Sequence, residues 1–343
     1  MGLAVGKIAR ELGRWIPPAA LRHAGQPAAL FFHGIEHDTG DPLLQMNHHT
    51  VEHFRAMLSA LTEFGFQVLP LEAIDAVLAK PEKYHRSLFL MSDDGYRNTL
   101  TVAADILDEY RMPWTLFVST AHIGTGLPNP IFLAWLFFLR APDGEYRLPH
   151  FPEAIQLGDR ESRVKWAQFG ADHLRFLPAE KAEESVAAMR NAFPASALER
   201  HLAEFSSERF LDWDDVRALH RRGVTIGAHA DTHWPMHGAQ SETYLRQQAA
   251  GAKALIEREV APCRFFAYPF GNKPDVGPNA WRAVRDAGFS HGFTTLSGSL
   301  AAGGNPWLLP RYGLGPQDNH IASLVPLLFA GNSRLLSWQA SLA

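Results

Sequence analysis

The chain has a single cysteine, Cys263, among 343 residues, so no internal disulfide can form and the fold does not depend on an oxidising compartment. It also lacks a basic excess. Its 32 Lys and Arg face 36 Asp and Glu, and a formal charge of −4 argues against nucleic-acid binding. Long apolar runs are missing too. The strongest, FLAWLFFL at residues 132–139, is far shorter than the roughly 20 residues of a membrane span. The N-terminal stretch MGLAVGKIARELGRWIPP is charged throughout and has no apolar core of signal-peptide length, which makes a cytoplasmic protein the expectation. Ile8, Leu12 and Trp15 would share one face of a short amphipathic helix ending before Pro17. Such a helix either packs on the domain or gives a weak membrane-surface association. No internal repeat or low-complexity tract stands out.

What is present suits a well-packed enzyme-sized domain. Hydrophobic residues make up 46% of the chain and charged residues 20%, enough for a large core and too few charges for disorder. Short apolar runs at residues 28–32, 67–69, 88–91, 114–119, 224–226, 265–267 and 292–294 read as buried parallel strands. Helical spacing between them, at 51–64, 99–110, 212–222, 242–259 and 280–287, makes the pattern that of a parallel α/β barrel or a doubly wound sheet. Residues 128–208 break the rhythm. They contain no clear strand and read as a mostly helical insertion, with Phe132, Trp135 and Phe138 as a packing stripe. The domain reading is an extension at residues 1–27 and one domain at 28–343 carrying that insertion.

Three strand ends carry the chemistry. In LFLMSDDGY, residues 88–96, an apolar strand runs into Asp93, Asp94 and a turn-forming Gly95. The carboxyl ends of parallel strands are where such folds place their sites. Two adjacent carboxylates repel unless their roles differ, so one suits a metal and the other a base; the plain alternative is an Asp-Asp-Gly turn. In VTIGAHADTHWP, residues 224–235, His229 and His233 follow a strand at a spacing that suits a divalent metal, on a rim loop with a helical turn. His237 is close enough to be a decoy. Two histidines and one carboxylate would form a facial triad with open positions. In CRFFAYPFGN, residues 263–272, a strand ends at Tyr268-Pro269-Phe270-Gly271, a rim turn whose backbone N–H groups could face an oxyanion. His33 also sits at a strand end facing the mouth; its alternative is a core histidine satisfied by backbone.

These motifs, in this order, resemble the polysaccharide deacetylase (NodB-homology, carbohydrate esterase family 4) proteins over roughly residues 28–125 and 211–315. Met91-Ser92-Asp93-Asp94-Gly95 is similar to that family's Thr-Phe-Asp-Asp-Gly, and His229-Ala230-Asp231-Thr232-His233 to its His-(Ser/Thr)-x-x-His-Pro, with the proline delayed to Pro235. Ala267-Tyr268-Pro269-Phe270-Gly271 looks like its Arg-containing Pro-Tyr-Gly turn, and Phe31-Phe32-His33-Gly34-Ile35 is similar to the Tyr-His-x-Val opening of one branch. The resemblance implies a distorted (β/α) barrel of the NodB-homology type with fewer than eight strands. It implies Asp93 as catalytic base and Asp94, His229 and His233 as ligands of one divalent metal, with zinc the default and cobalt, nickel or manganese suited to the same donors. A backbone N–H near Tyr268 and Pro269 would help hold the oxyanion. The family's base-orienting arginine is replaced by Ala267, and Arg311 could supply it from another loop or be an ordinary surface arginine. The late Leu-x-His motif that supplies the general acid has no clean match; His320 is the nearest candidate in order.

The implied activity is metal-dependent deacetylation of an N-acetyl amino sugar in a glycan or a lipid- or nucleotide-linked precursor. A deformylase or small-molecule amidase keeps the enzyme class, and the helical insertion would favour it by closing the groove. A catalytically silent sugar-binding barrel is a different class, against which the intact Asp93, Asp94, His229 and His233 argue.

Overall fold

The computed structural model of the protein describes residues 25–38, 40–300, 304–315, 339 and 342. The expected N-terminal helix and His320 lie outside the described residues.

Each of the seven anticipated apolar runs forms a strand. They are β1 (Ala28–Phe32), β4 (Gln67–Val68), β5 (Ser87–Ser92), β6 (Trp114–Val118), β9 (Thr225–Ala228), β10 (Phe265–Ala267) and β11 (His291–Phe293). Two more, β2 (Gly34–Glu36) and β3 (His48–Thr50), pair with each other beside the mouth. The last, β12 (Tyr312–Gly313), joins β1, giving the parallel order β11-β10-β9-β6-β5-β1-β12, with β4 beside the start of β5. The segment leading into β12 also touches the other end of the sheet. Leu309 bridges Phe293 of β11, and Tyr312 pairs Leu30 of β1. The sheet therefore curls round into a distorted (β/α) barrel.

Strand burial explains why these runs read as continuously apolar. On β5, Phe89 and Met91 face the barrel interior, where they meet Ala29, Phe117, Phe265 and Phe293. Leu88 and Leu90 face the helices and join Leu30, Phe32, Leu116 and Ile226 in the outer core. With both faces covered, alternation disappears. Two helices expected to be continuous contain π-turns, at Thr99–Ala103 and Gln247–Gly251. Periodicity near 3.6 does not reveal one extra residue in a turn.

The insertion departs from expectation in one respect. It carries helices Pro130–Arg140, Arg160–Phe176, Ala179–Asn191 and Ala195–Glu204, but also an antiparallel hairpin, β7 (Gly144–Tyr146) with β8 (Ile155–Leu157). Three-residue strands on an exposed edge leave too short a pattern to be read locally. The helices bury their own core around Leu136, Phe137, Phe138, Leu174 and Met189. Of the expected packing stripe, Phe132 and Phe138 are buried, whereas Trp135 is only half-buried and borders a cleft.

Candidate active site

All three motif loops converge at the carboxyl ends of β5, β9 and β10. The Asp93 N–H still donates to the Phe32 carbonyl, continuing the ladder to β1, and then the chain turns sharply. Asp94 (φ 77°) and Gly95 (φ 97°) are consecutive left-handed residues. A Cβ on Gly95 would stand 3.2 Å from both Ile123 and Val118, so glycine is needed there for space as well as φ. His233 (φ 63°) and Phe270 (φ 60°) also hold left-handed backbone. Such conformations cost about 1–3 kcal/mol each and cluster where a site over-determines its geometry.

Arg311 sets how the Asp93 carboxylate is held. It is fully buried, enters from the segment before β12, and lies over the Phe31 ring at 4.4 Å. Nη1 and Nη2 donate to Asp93 Oδ1 and Oδ2, both at 2.8 Å, and Nε donates to the Thr294 carbonyl at 3.0 Å. It is thus a buried bidentate partner and not a surface arginine. Burial by itself would push the Asp93 carboxyl up; the Arg311 guanidinium and then His229 bring it below the usual carboxylate range.

Asp94, His229 and His233 are all buried, and each presents one ligand atom within 4.8 Å of the others. Asp94 Oδ1 lies 3.3 Å from His229 Nε2 and 2.9 Å from His233 Nε2. Two donors each about 2.1 Å from one ion, at angles of about 90–110°, stand roughly 3.0–3.4 Å apart, so the spacing fits a divalent cation. His229 Nδ1 donates to the Ala267 carbonyl at 2.8 Å, which aims Nε2 at the carboxylates. His233 Nδ1 faces Asn129 Nδ2 at 3.0 Å, while Asn129 Oδ1 caps Ile131 N–H in the first insertion helix. Burial opposes charge on His229, but Asp93 and Asp94 raise its pKa above the ordinary value. Asp94 likewise overcomes burial through His233 and His229 and lies well below its ordinary value.

The motif-two loop has no helical turn; bends at Asp231 and Thr232 carry it instead. Gln248, from the π-turn, accepts from the N–H groups of both residues, and Thr120 donates to Asp231. An extra residue in that helix turns Gln248 toward a loop whose amides would otherwise lack partners. His237 bonds the Leu177 carbonyl and takes no part in the trio.

His33 is half-buried next to these groups. Burial lowers its pKa, against the pull of Asp94 and Asp93, so its imidazole is neutral at neutral pH. The reading of Tyr268 needs correction. It is fully buried, its hydroxyl donates to the Trp307 carbonyl, and its N–H donates to Phe293 in the ladder. Neither its side chain nor its amide is available to an oxyanion. Pro269 has no N–H to offer and is buried too; it shapes the turn, and Phe270 is the member of this motif that reaches the mouth. Phe270 packs 5.4 Å from the His233 ring and under the Arg175 guanidinium at 4.7 Å. Arg175, in the insertion, also clamps Asp275 through Nε at 2.6 Å.

Sequence reading missed several contributors. Tyr96 follows the Asp-Asp-Gly motif directly, is buried, and hydrogen-bonds Asp94 and Asn47. Its adjacency was a usable signal. Asn129, just before Pro130, has the form of a helix cap, but nothing local ties it to His233. Glu208, at the end of the insertion, carries no local signal at all. Together with His233 and Phe270 these residues border a cleft.

Several solved structures share this architecture. The deacetylase PplD of Streptococcus pyogenes, in complex with acetate, is 15% identical, with a TM-score of 0.56, covering 88% of this chain and 98% of its own. IcaB from Ammonifex degensii is 14% identical, with a TM-score of 0.56 and coverage of 88% and 97%. A polysaccharide deacetylase from Bacillus cereus is 12% identical, with a TM-score of 0.54 and coverage of 88% and 69%. At such identities the likeness establishes the fold. No curated protein sequence matches the chain. The family model for polysaccharide deacetylases matches residues 80–292, which span both the Asp93-Asp94 and the His229-His233 motifs and more than half of the chain, and the protein therefore belongs to the polysaccharide deacetylase family.

Proposed function

We propose that the protein is a metal-dependent N-deacetylase that hydrolyses the acetamido group of an amino sugar, within a glycan or a carrier-linked precursor. The observation that carries this reading is the pairing of a buried Asp94–His229–His233 trio with an Asp93 held bidentately by Arg311. Two carboxylates adjacent in sequence are thereby given different partners and different work.

A bound divalent ion would supply Lewis acidity, lowering the pKa of water and polarising the amide carbonyl. Zinc is the default for this donor set, with cobalt, nickel or manganese as alternatives. Asp94, His229 and His233 would hold it. Asp93 Oδ2, 4.0 Å from His229 Nε2, stands at the edge of that site and takes a proton from the attacking water. Arg311 keeps both Asp93 oxygens oriented. It also makes Asp93 a weak base but, once protonated, a strong acid. The same carboxyl is therefore the described group best placed to return the proton to nitrogen as the carbon–nitrogen bond breaks. The products are acetate and the free amino sugar.

The test is acetate and formate release from free, nucleotide-linked and lipid-linked N-acylated sugars, with elemental analysis of bound metal. Asp93→Asn should keep about one metal per chain and lose at least roughly 100-fold in rate. His229→Ala should lose the metal. Protein that retains no metal, and that added metal does not activate on any substrate, would sink the reading.

A further inference from the structure

The cleft beside His233 is built largely from residues outside the three motifs, and its lining is of two kinds. Part is apolar: Leu43 and Met46 from the loop before β3, Ile131 and Trp135 from the first insertion helix, and Phe270. Part is polar: Asn47, Tyr96, Asn129 and Glu208. A hydrocarbon in this space would leave the buried Oε1 of Glu208 without a partner, which is costly. A polar ligand alone would waste the apolar lining. A pyranose ring, with an apolar C–H face and a hydroxyl edge, satisfies both.

Glu208 is the unusual member. Its side chain is 4% exposed, and Oε1 has no hydrogen bond although it lies 3.2 Å from His48 Nδ1, which also has none. Unsatisfied buried polar atoms of this kind are rare in structural positions. Burial, then the charges of Asp94 and Glu36, push the Glu208 carboxyl well above its ordinary value, and burial lowers His48 to about 4. A buried carboxyl oxygen left without a partner can accept from a sugar hydroxyl. The remaining groups facing it are Tyr96, which hydrogen-bonds it, and the Ser207 carbonyl, which bonds His48 Nε2.

We propose that this insertion-bordered cleft is a sugar-ring subsite in which Trp135 is the platform for the ring face and Glu208, with Asn47, reads a ring hydroxyl. The proposal rests on the amino-sugar reading above and adds to it a specificity-determining residue, Glu208.

The experiment is a cycle between enzyme and substrate. Values of kcat/KM are measured for an N-acetylated amino sugar and its singly deoxygenated analogues, with wild type, Glu208→Gln and Glu208→Leu. Wild type should lose roughly 10- to 100-fold on one analogue, the effect of leaving a buried partner unsatisfied. Glu208→Leu should discriminate between that analogue and the parent by less than about threefold, because the reading group is gone. Glu208→Gln, close in shape and still able to accept a hydrogen bond, should retain most of the discrimination and controls for folding. Equal discrimination in all three proteins, or none in wild type, overturns the proposal while leaving deacetylation intact. A rate that climbs with the length of the N-acyl chain identifies a hydrocarbon occupant and also overturns it. Hydrolysis of simple alkyl acetamides with no activity on any N-acetyl sugar instead removes the functional reading beneath it.

Discussion

Replacing Arg311 by methionine isolates the energetics of the site. The guanidinium is fully buried and makes three hydrogen bonds, two to Asp93 and one to the Thr294 carbonyl. Methionine fills a similar volume but leaves the Asp93 carboxylate desolvated and unpaired. Breaking a buried pair in this way costs about 3–5 kcal/mol. The loss should depend on pH, and its sign follows from the direction of the Asp93 shift. In the wild type the folded pKa lies below the unfolded value of 3.8, so the pair stabilises the fold above that value and the contribution fades as pH falls through the folded pKa. In Arg311→Met, burial acts unopposed by the guanidinium and raises the folded pKa. The penalty is then largest at neutral pH and shrinks as pH falls and Asp93 takes up a proton. Urea unfolding of metal-free protein at pH 7.5 and pH 5 measures both limbs. The double variant Asp93→Asn/Arg311→Met should recover at least roughly half of the lost stability at pH 7.5, because the unpaired carboxylate at position 93 is gone. A stability difference independent of pH, together with additive effects in the double variant, would refute the account of Arg311 as the partner of a buried charge.

Other expectations address different parts of the site. Asn129→Asp keeps the helix cap on Ile131 and offers His233 Nδ1–H an acceptor, so metal affinity should rise about 10-fold; unchanged or weaker affinity in a chelator competition refutes this. Arg175→Ala removes the clamp on Asp275 and the cation over Phe270. It should raise KM more than it lowers kcat, by roughly 10-fold, as the cleft wall loosens; a pure kcat effect would contradict that placement. Gly95→Ala imposes a Cβ on a left-handed residue already crowded by Val118 and Ile123. It should destabilise by about 1–3 kcal/mol, read as a lower midpoint in urea, and wild-type stability would show that the turn is not constrained.

Much of the architecture was legible because it is local. A buried parallel strand announces itself as a short apolar run, and a strand running into Asp-Asp-Gly or Gly-Ala-His places those side chains at one end of the sheet whatever the sheet's order. The Asp93, Asp94, His229 and His233 set needed nothing beyond that. The hairpin of β7 and β8 and the two π-turns were invisible because three residues, or one extra residue, leave no periodic trace. Tyr268 was misread for a related reason. Its position in the motif was visible, but whether a rim residue points back into the helix-facing core or across the mouth depends on ladder pairing with β11.

The sequence by itself determined the strands, the rim motifs and the types of donor they carry, since these follow from residue types within a few positions of one another. Only the tertiary structure decided which arginine holds Asp93, because 218 residues separate it from Arg311 and barrel closure brings them within 2.8 Å. It alone also decided that the insertion contributes Asn129, Trp135 and Glu208 to the cleft. Contacts between distant segments are chosen by which buried polar groups and apolar faces the packed core leaves to be matched, and no local pattern encodes that choice.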